Sequence, residues 1–237
     1  MKIIRKDVIS STNEFIKEQY ESLDNYTVVT AKYQTSGRGR MTRIWESNDF
    51  DNILMSILIK EFKERTDLNL LSLVSSMSVH KFLSKYINNL YIKWPNDILV
   101  DNKKICGILL EGKMNNNSKM IVIGIGININ QTTFNEDINH LTTSLKKELN
   151  KDFDINLLTI ELAEILVNDI EEFLNGSNIF LDYIKSNLYG INKQIEYTRN
   201  NVLCEGTILD IHTDGRLIVK ESDQILYINS GEIKIKR

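Results

Sequence analysis

Three observations predict an α/β (α+β) fold: a mixed β-sheet backed by helices over residues 1–189, then a small β-barrel over residues 190–237. Strand-like and helix-like patterns interleave as far as residue 189. Within that stretch, residues 155–174 carry apolar side chains at 155, 158, 162, 165, 166, 170 and 173, the stripe of an amphipathic helix. After Gly190 the texture changes, and five short strands crowd into fewer than 50 residues.

The elements follow in order. Residues 2–9 read as a strand running into Ser11-Thr12-Asn13-Glu14. Ser11 with Glu14 three positions on is a capping box, which predicts a helix over 12–23. Residues 26–33 are rich in β-branched side chains and residues 52–59 alternate, so both are strands. Residues 68–86 hold no breaker and set Leu71, Val74, Ser75 and Ser78 for close packing, which predicts one long core helix. Residues 90–94, 98–100 and 104–111 are strands, the last two joined by a tight Asp101-Asn102 turn. Residues 114–119, with three consecutive asparagines, read as a polar loop before a central apolar strand over 120–130. A second helix is predicted over 179–188. The final strands are 195–198, 203–211, 217–219, 225–228 and 233–235, with turns at Asn200-Asn201, Asp214-Gly215 and Ser222-Asp223.

The chain has 237 residues, 42% hydrophobic and 26% charged, with a net charge of −3. That length holds one large domain, or a medium domain plus a small one. The acidic balance argues against a general nucleic-acid or anionic-membrane binder. No apolar run approaches the ~20 residues that span a bilayer, and the charged start at Met1 is no signal peptide. Cys106 and Cys204 form no metal or redox spacing and read as small buried hydrophobes in a reducing, cytoplasmic compartment. His80, His140 and His212 share no metal-ligand spacing. Glu171-Glu172 reads as a solvated helix face, and Leu73 and Met77 as core.

Two short stretches hold the unusual residues. Gly37-Arg38-Gly39-Arg40-Met41-Thr42-Arg43-Ile44-Trp45 packs three of the eight arginines into six positions. Lys93-Trp94-Pro95-Asn96-Asp97 contains the only proline, and each stretch carries one of the two tryptophans. Backbone N–H groups and guanidinium forks on a glycine-spaced loop suit a polyanion such as a nucleotide's phosphates. The loop lacks P-loop spacing, so ordinary ATPase chemistry is not indicated. Its other readings are a solvated basic loop or an RNA-binding element. Pro95 and Asn96-Asp97 read alternatively as a strand end and a turn. Lys104, however, returns on the adjoining strand towards the same mouth, where it can hold an anionic substrate or leaving phosphate.

In their order, Ser11-Thr12-Asn13, Gln34, Gly37-Arg38-Gly39-Arg40, Lys93-Trp94-Pro95-Asn96-Asp97 with Lys104 and Gly107, and Gly124 to Asn128 resemble the motifs of biotin protein ligases. The tail Gly231-Glu232-Ile233 resembles the end of that family's small SH3-like barrel, so the resemblance covers nearly the whole chain. It implies a biotin- and ATP-binding catalytic domain over 1–189 and a C-terminal barrel domain over 190–237. It also implies an enzyme that joins biotin to ATP as biotinoyl-5′-AMP, releasing pyrophosphate. The biotinoyl group then passes to a lysine of a biotin carboxyl carrier protein domain.

By the same resemblance Lys104, Arg38 and Arg40 are catalytic. Ser11, Thr12, Asn13, Gln34, Gly37, Arg38 and Lys104 hold biotin, with Gly107, Leu109 and Gly124 as walls. Arg38, Arg40, Arg43, Trp45, Asn96, Asp97, Lys104, Asn128 and Lys236 serve ATP, and Asp97 is the expected contact of Mg²⁺. Where the family's loop continues Arg-Gly-Arg, this chain has Met41-Thr42-Arg43. The early Ser-Thr-Asn motif implies a monofunctional form that does not bind DNA. Glycines and repelling charges imply a loop that a ligand orders, and an exposed sheet edge is open to a homodimer or to the carrier. The competing readings are a lipoate ligase or acyltransferase of related fold, and an RNA-binding module.

Overall fold

The computed structural model describes residues 1–40, 43–46, 51–60, 62–63, 67–115, 118–199, 202–229, 231 and 233–236. Expectations that rest on Met41-Thr42, Asn200-Asn201 and Glu232 lie outside the described residues. The chain runs β1 (Lys2–Ile9), α1 (Thr12–Gln19), β2 (Thr27–Gln34), β3 (Asn52–Ile59), a 3₁₀ turn (Leu68–Leu70), α2 (Leu71–Leu83), β4 (Leu90–Lys93) and β5 (Asp97–Val100). It continues as β6 (Lys103–Asn115), β7 (Ser118–Asn128), α3 (Glu136–Asn139), α4 (Leu145–Leu149), α5 (Ile155–Leu174) and α6 (Phe180–Ser186). The last part is β8 (Gln194–Arg199), β9 (Val202–Ile211), β10 (Leu217–Glu221), β11 (Gln224–Ile228) and β12 (Ile233–Ile235).

A seven-stranded sheet in the order β1-β2-β3-β7-β6-β5-β4 forms the first layer. Only β1 and β2 pair in parallel; every other neighbour is antiparallel, which makes the sheet mixed as expected. Side chains alternate between its two faces. Val28, Ile57, Ile121 and Ile123 point to one face and pack with α2, α5 and α6. Val29, Leu58, Met120 and Val122 point to the other and pack under α1 with Ile16. β3 is buried along its whole length because it is covered on both sides.

α5 starts where expected because the Asp154 carboxylate accepts from the backbone N–H groups of Asn156 at 2.9 Å and Leu157 at 3.2 Å. The capping box at Ser11 does not form: Ser11 takes the N-cap position without a side-chain bond, and Glu14 turns instead to Lys17 and Arg38. α1 ends at Gln19, earlier than the expected 23. The long helix expected over 68–86 opens as the 3₁₀ turn and closes at Leu83. The polar loop expected at 114–119 is mostly strand, since β6 and β7 pair out to Asn115 opposite Ser118. α3 and α4 carried no strong apolar period and were not expected.

The final five strands form an antiparallel sheet in the order β11-β10-β9-β8-β12. Among the described residues no ladder joins β11 to β12, so this sheet is open and not a closed barrel. It is seated on the first layer: Trp94 Nε1 donates to the Gly215 carbonyl at 2.9 Å, and Lys185 pairs with Asp210 at 2.8 Å. One apolar cluster runs from Phe173 and Ile184 through to Ile195, Ile208 and Leu217. Cys106 is fully buried as expected, whereas Cys204 is partly exposed. No described helix is long and apolar enough to cross a membrane.

His80 is the buried titratable group of the helical layer. Its Nε2 lies 3.2 Å from the Leu90 carbonyl, which can only accept, so Nε2 carries the proton and Nδ1 accepts from the Tyr183 hydroxyl at 2.9 Å. Burial lowers its pKa, against the opposing pull of the Leu90 hydrogen bond. Below an ordinary histidine pKa of about 6.5, the unfolded chain therefore binds a proton that the native chain does not. Stability should rise with pH across that window and fall as pH drops through it. The urea midpoint is expected to be lower at pH 5 than at pH 7.5, with a smaller difference in His80→Phe; an equal slope in the variant would contradict this origin.

Candidate active site

The face parity of β7 builds the site. Met120 and Val122 fill the space under α1, but the next two positions on that face are Gly124 and Gly126, followed by Asn128. Gly126 pairs with Gly107, and Gly124 with Leu109. With steps of about 7 Å between same-face residues, the glycines leave a trough along the β6–β7 ladder. The Ser11–Asn13 corner, the arginine loop, the β4–β6 turns and the C-terminal sheet wall it into one cavity of about 990 Å³.

Over Gly124 lies a polar cluster. A Cβ there would stand 2.4 Å from Asn13 Oδ1, so only glycine lets the Asn13 amide lie against the sheet. Gln34 Oε1 accepts from the Thr12 backbone N–H at 2.7 Å and stands 3.1 Å from the Thr12 hydroxyl. Ser56 Oγ on β3 lies 2.6 Å from Thr12 Oγ1 and 2.5 Å from Asn13 Oδ1. Behind them Glu111 accepts from Asn13 Nδ2 at 2.7 Å and from Lys17 Nζ at 2.8 Å. Burial raises the Glu111 pKa, but the hydrogen bonds from Lys17 and Asn13 and the charges of Lys17 and Arg38 outweigh it and hold the carboxyl below its usual range.

Over Gly126 and Gly107 lies the Trp45 indole, whose carbons stand within 2.9 Å of where either Cβ would be. Its Nε1 is buried without a hydrogen-bond partner. Lys104 Nζ sits 5.5 Å from the indole centroid and pairs with Asp97 Oδ1 at 2.7 Å. The pair is partly shielded, with side-chain exposures of 34% and 20%, so removing one partner leaves an incompletely solvated charge.

The arginine loop closes over this floor as a small hairpin of its own. Gly39 N–H donates to the Arg43 carbonyl at 2.7 Å, Arg43 N–H to Arg40 at 3.1 Å and Trp45 N–H to Gly37 at 3.0 Å. Gly37 is buried behind the hairpin, where a Cβ would meet the Trp45 carbonyl at 2.5 Å, and it does not line the cavity. Arg38 pairs with Glu14. Arg40 donates to Asn96 Oδ1 at 2.9 Å and to the Gly231 carbonyl at 3.4 Å. Asn96 is itself fixed, donating to the Ile108 carbonyl at 2.6 Å.

Ser11, Thr12, Asn13, Gln34, Arg38, Arg40, Arg43, Trp45, Asn96, Asp97, Lys104, Gly107, Leu109, Gly124, Asn128 and Lys236 all line this cavity. Asn128 also donates to the Thr143 carbonyl at 3.0 Å, and Lys236 pairs with Glu205. Sequence reading did not single out Gly126, Ser56 or Glu111. The Gly-x-Gly alternation in β7 signals the first, but nothing local marks the other two. It also missed the stretch around Phe134 and Leu141, which borders the cavity because Lys104 N–H donates to the Leu141 carbonyl at 2.7 Å.

The cavity joins a polar corner, a shielded lysine–aspartate pair and a cluster of arginines, groups that can hold an anionic substrate and offset charge that develops on it. Residues 6–128 match the biotin/lipoate A/B protein ligase family, and residues 190–235 match the biotin protein ligase C-terminal domain. The chain belongs to the biotin/lipoate A/B protein ligase family. It is 28% identical to the bifunctional ligase/repressor BirA of Bacillus subtilis, over 98% of this chain and 74% of that protein. It is 26% identical to the biotin–[acetyl-CoA-carboxylase] ligase of Mycobacterium tuberculosis, over 87% of this chain and 77% of that one. The biotin protein ligase of Aquifex aeolicus, solved in complex with biotin and ATP, superposes with a TM-score of 0.88 at 27% identity, covering 100% of this chain and 99% of that one.

The glycine floor gives a ligand-free test. A methyl group in Gly126→Ala would overlap the Trp45 indole, whose nearest atoms lie 2.4, 2.7 and 2.8 Å from the new carbon. The indole is expected to lift into solvent, with red-shifted emission and stronger acrylamide quenching and an unchanged far-ultraviolet spectrum. Trp94, buried and bonded to Gly215, serves as the constant background. An unshifted emission spectrum would contradict the indole's position over the trough.

Proposed function

We propose that the chain is an ATP-dependent biotin protein ligase. In the first step an oxygen of the biotin carboxylate attacks the α-phosphorus of ATP, the bond to the β-phosphate oxygen breaks and pyrophosphate leaves. In the second, a lysine amine of a carrier domain attacks the acyl carbon, a carbon–nitrogen bond forms and AMP leaves. Adenylation is needed because a free carboxylate resists amines, whereas the mixed anhydride has a good leaving group. The observation that carries this reading is the one cavity that Thr12, Lys104 and the arginines of the loop all line, with Lys104 held by Asp97.

In this reading Ser11, Thr12, Asn13 and Gln34 hold the biotin head group above Gly124, with Leu109 and Gly107 along the trough. Gly37 acts indirectly, by letting the loop backbone cross at Trp45. Lys104 neutralises the carboxylate as it approaches phosphorus and stabilises charge in both steps. Asp97 holds Lys104 in place through their ion pair. Arg38, Arg40 and Arg43 take the phosphates; Arg40 is already aimed by Asn96. Trp45 offers an aromatic face and an unpartnered N–H, Asn128 lies at the far end of the trough, and Lys236 approaches from the C-terminal sheet.

Magnesium would arrive with ATP. Among the described residues no three His, Cys, Asp or Glu side chains converge, and Asp97 is ion-paired. The residues therefore suit an ion held mainly by phosphates and water, with at most one carboxylate. A biotin carboxyl carrier domain is the proposed acceptor, supported by the named substrate of the mycobacterial relative. The division proposed for the chain is 1–189 as the catalytic part and 190–237 as a wall fixed on it by Trp94 and the shared apolar cluster.

The test is pyrophosphate release from Mg²⁺-ATP with biotin, lipoate or neither, in the presence of a carrier domain. Biotin-dependent release with mass gain on one carrier lysine is expected. Release with lipoate alone would assign the lipoate branch of the family, and release with neither acid overturns the reading. Lys104→Ala and Arg40→Ala should each lower turnover by about 10²–10³, the usual loss for one placed electrostatic donor. Near-normal turnover in Lys104→Ala would remove it from the mechanism.

A further inference from the structure

Ser56 is fully buried at the middle of β3, Glu111 stands on β6, and neither lines the cavity. Both reach its wall through other residues, and proton bookkeeping gives that connection a direction. An ionised carboxylate only accepts hydrogen bonds. Glu111 Oε2 therefore takes Asn13 Nδ2 at 2.7 Å and obliges Asn13 Oδ1 to face Ser56 Oγ at 2.5 Å. The amide oxygen has no proton, so the Ser56 hydroxyl donates to it. Ser56 has no second proton for its 2.6 Å contact with Thr12 Oγ1, so the one Thr12 proton serves two protein acceptors, Ser56 Oγ and Gln34 Oε1 at 3.1 Å. With its proton held by those acceptors, Thr12 Oγ1 offers only lone pairs to the cavity. Gln34 Oε1, fixed as an acceptor by the Thr12 backbone N–H at 2.7 Å, presents the same polarity beside it.

We propose that Glu111 and Ser56 are positioning residues for the ligand, which act through Asn13 to hold Thr12 as a hydrogen-bond acceptor for an N–H of biotin's ureido ring. The inference rests on the biotin reading above. It assigns the polarity of the pocket to a carboxylate that never touches the ligand. A network that only stabilised the fold would lower the melting temperature without any dependence on the Thr12 hydroxyl.

Calorimetric titration of biotin into the full chain decides between these. Ser56→Ala and Glu111→Ala should each weaken biotin binding about tenfold, the worth of one well-made hydrogen bond to a polar ligand group, and leave ATP affinity within about twofold. In a Thr12→Val background, Ser56→Ala should weaken biotin by less than about twofold further, because its effect runs through the missing hydroxyl. Glu111→Gln keeps the size of the side chain and serves if the alanine variant does not fold; it lets the Asn13 amide invert and should cost about threefold. Unchanged biotin affinity in Ser56→Ala and the Glu111 variants, or an undiminished loss on the Thr12→Val background, overturns the proposal. Those results with a wild type that binds biotin overturn it alone, whereas a wild type that binds no biotin overturns it together with the functional reading.

Discussion

The site depends on a change of residue size along one face of one strand. β7 carries Met120 and Val122 where α1 needs apolar volume, then Gly124 and Gly126 where it needs none. The opposite face keeps Ile121, Ile123, Ile125 and Ile127 in the main core. Hydrophobic burial against α2 and α5 therefore holds the strand in register while its other face is hollow. A one-residue slip would put the isoleucines into the trough and the glycines into the core. The polar corner, the indole and the lysine pair are all placed relative to that floor.

Charge is organised with equal economy. Each arginine and lysine of the trough that has a described partner is tied to a group on a different element: Arg38 to α1, Arg40 to the turn after β4 and to Gly231, Lys104 to the start of β5. Like charges that would repel are thus held apart by local acceptors before any anion arrives. An anion entering the cavity would meet donors whose orientation already costs little to fix.

Much of this was legible in the residues. The strand and helix patterns gave the mixed sheet, and the apolar stripe gave α5 to the residue, because amphipathic period is a local property. Gly-Arg-Gly-Arg and Lys-Trp-Pro-Asn-Asp stand out by their composition, and the remaining cavity-lining residues came from the resemblance to biotin protein ligases that those motifs opened. Ser11 and Glu14 misled because their short-range pattern matches a cap, while Glu14 had better partners in Lys17 and Arg38. Ser56 and Glu111 were invisible: each is an ordinary residue in a strand, and its partners lie 43 and 98 positions away in the chain. The expected small barrel is an open five-stranded sheet among the described residues, because strand count alone does not set whether the outer strands meet.

The bond from Arg40 to Gly231 spans 191 positions. Contacts of such separation form late, since loop-closure entropy must first be offset by nearer contacts. A chain that has folded its first sheet but not seated β12 would own the lysine and the arginines yet lack one side of the vessel around them. The side of the vessel that Gly231 and β12 supply would then be the last part of the site to close.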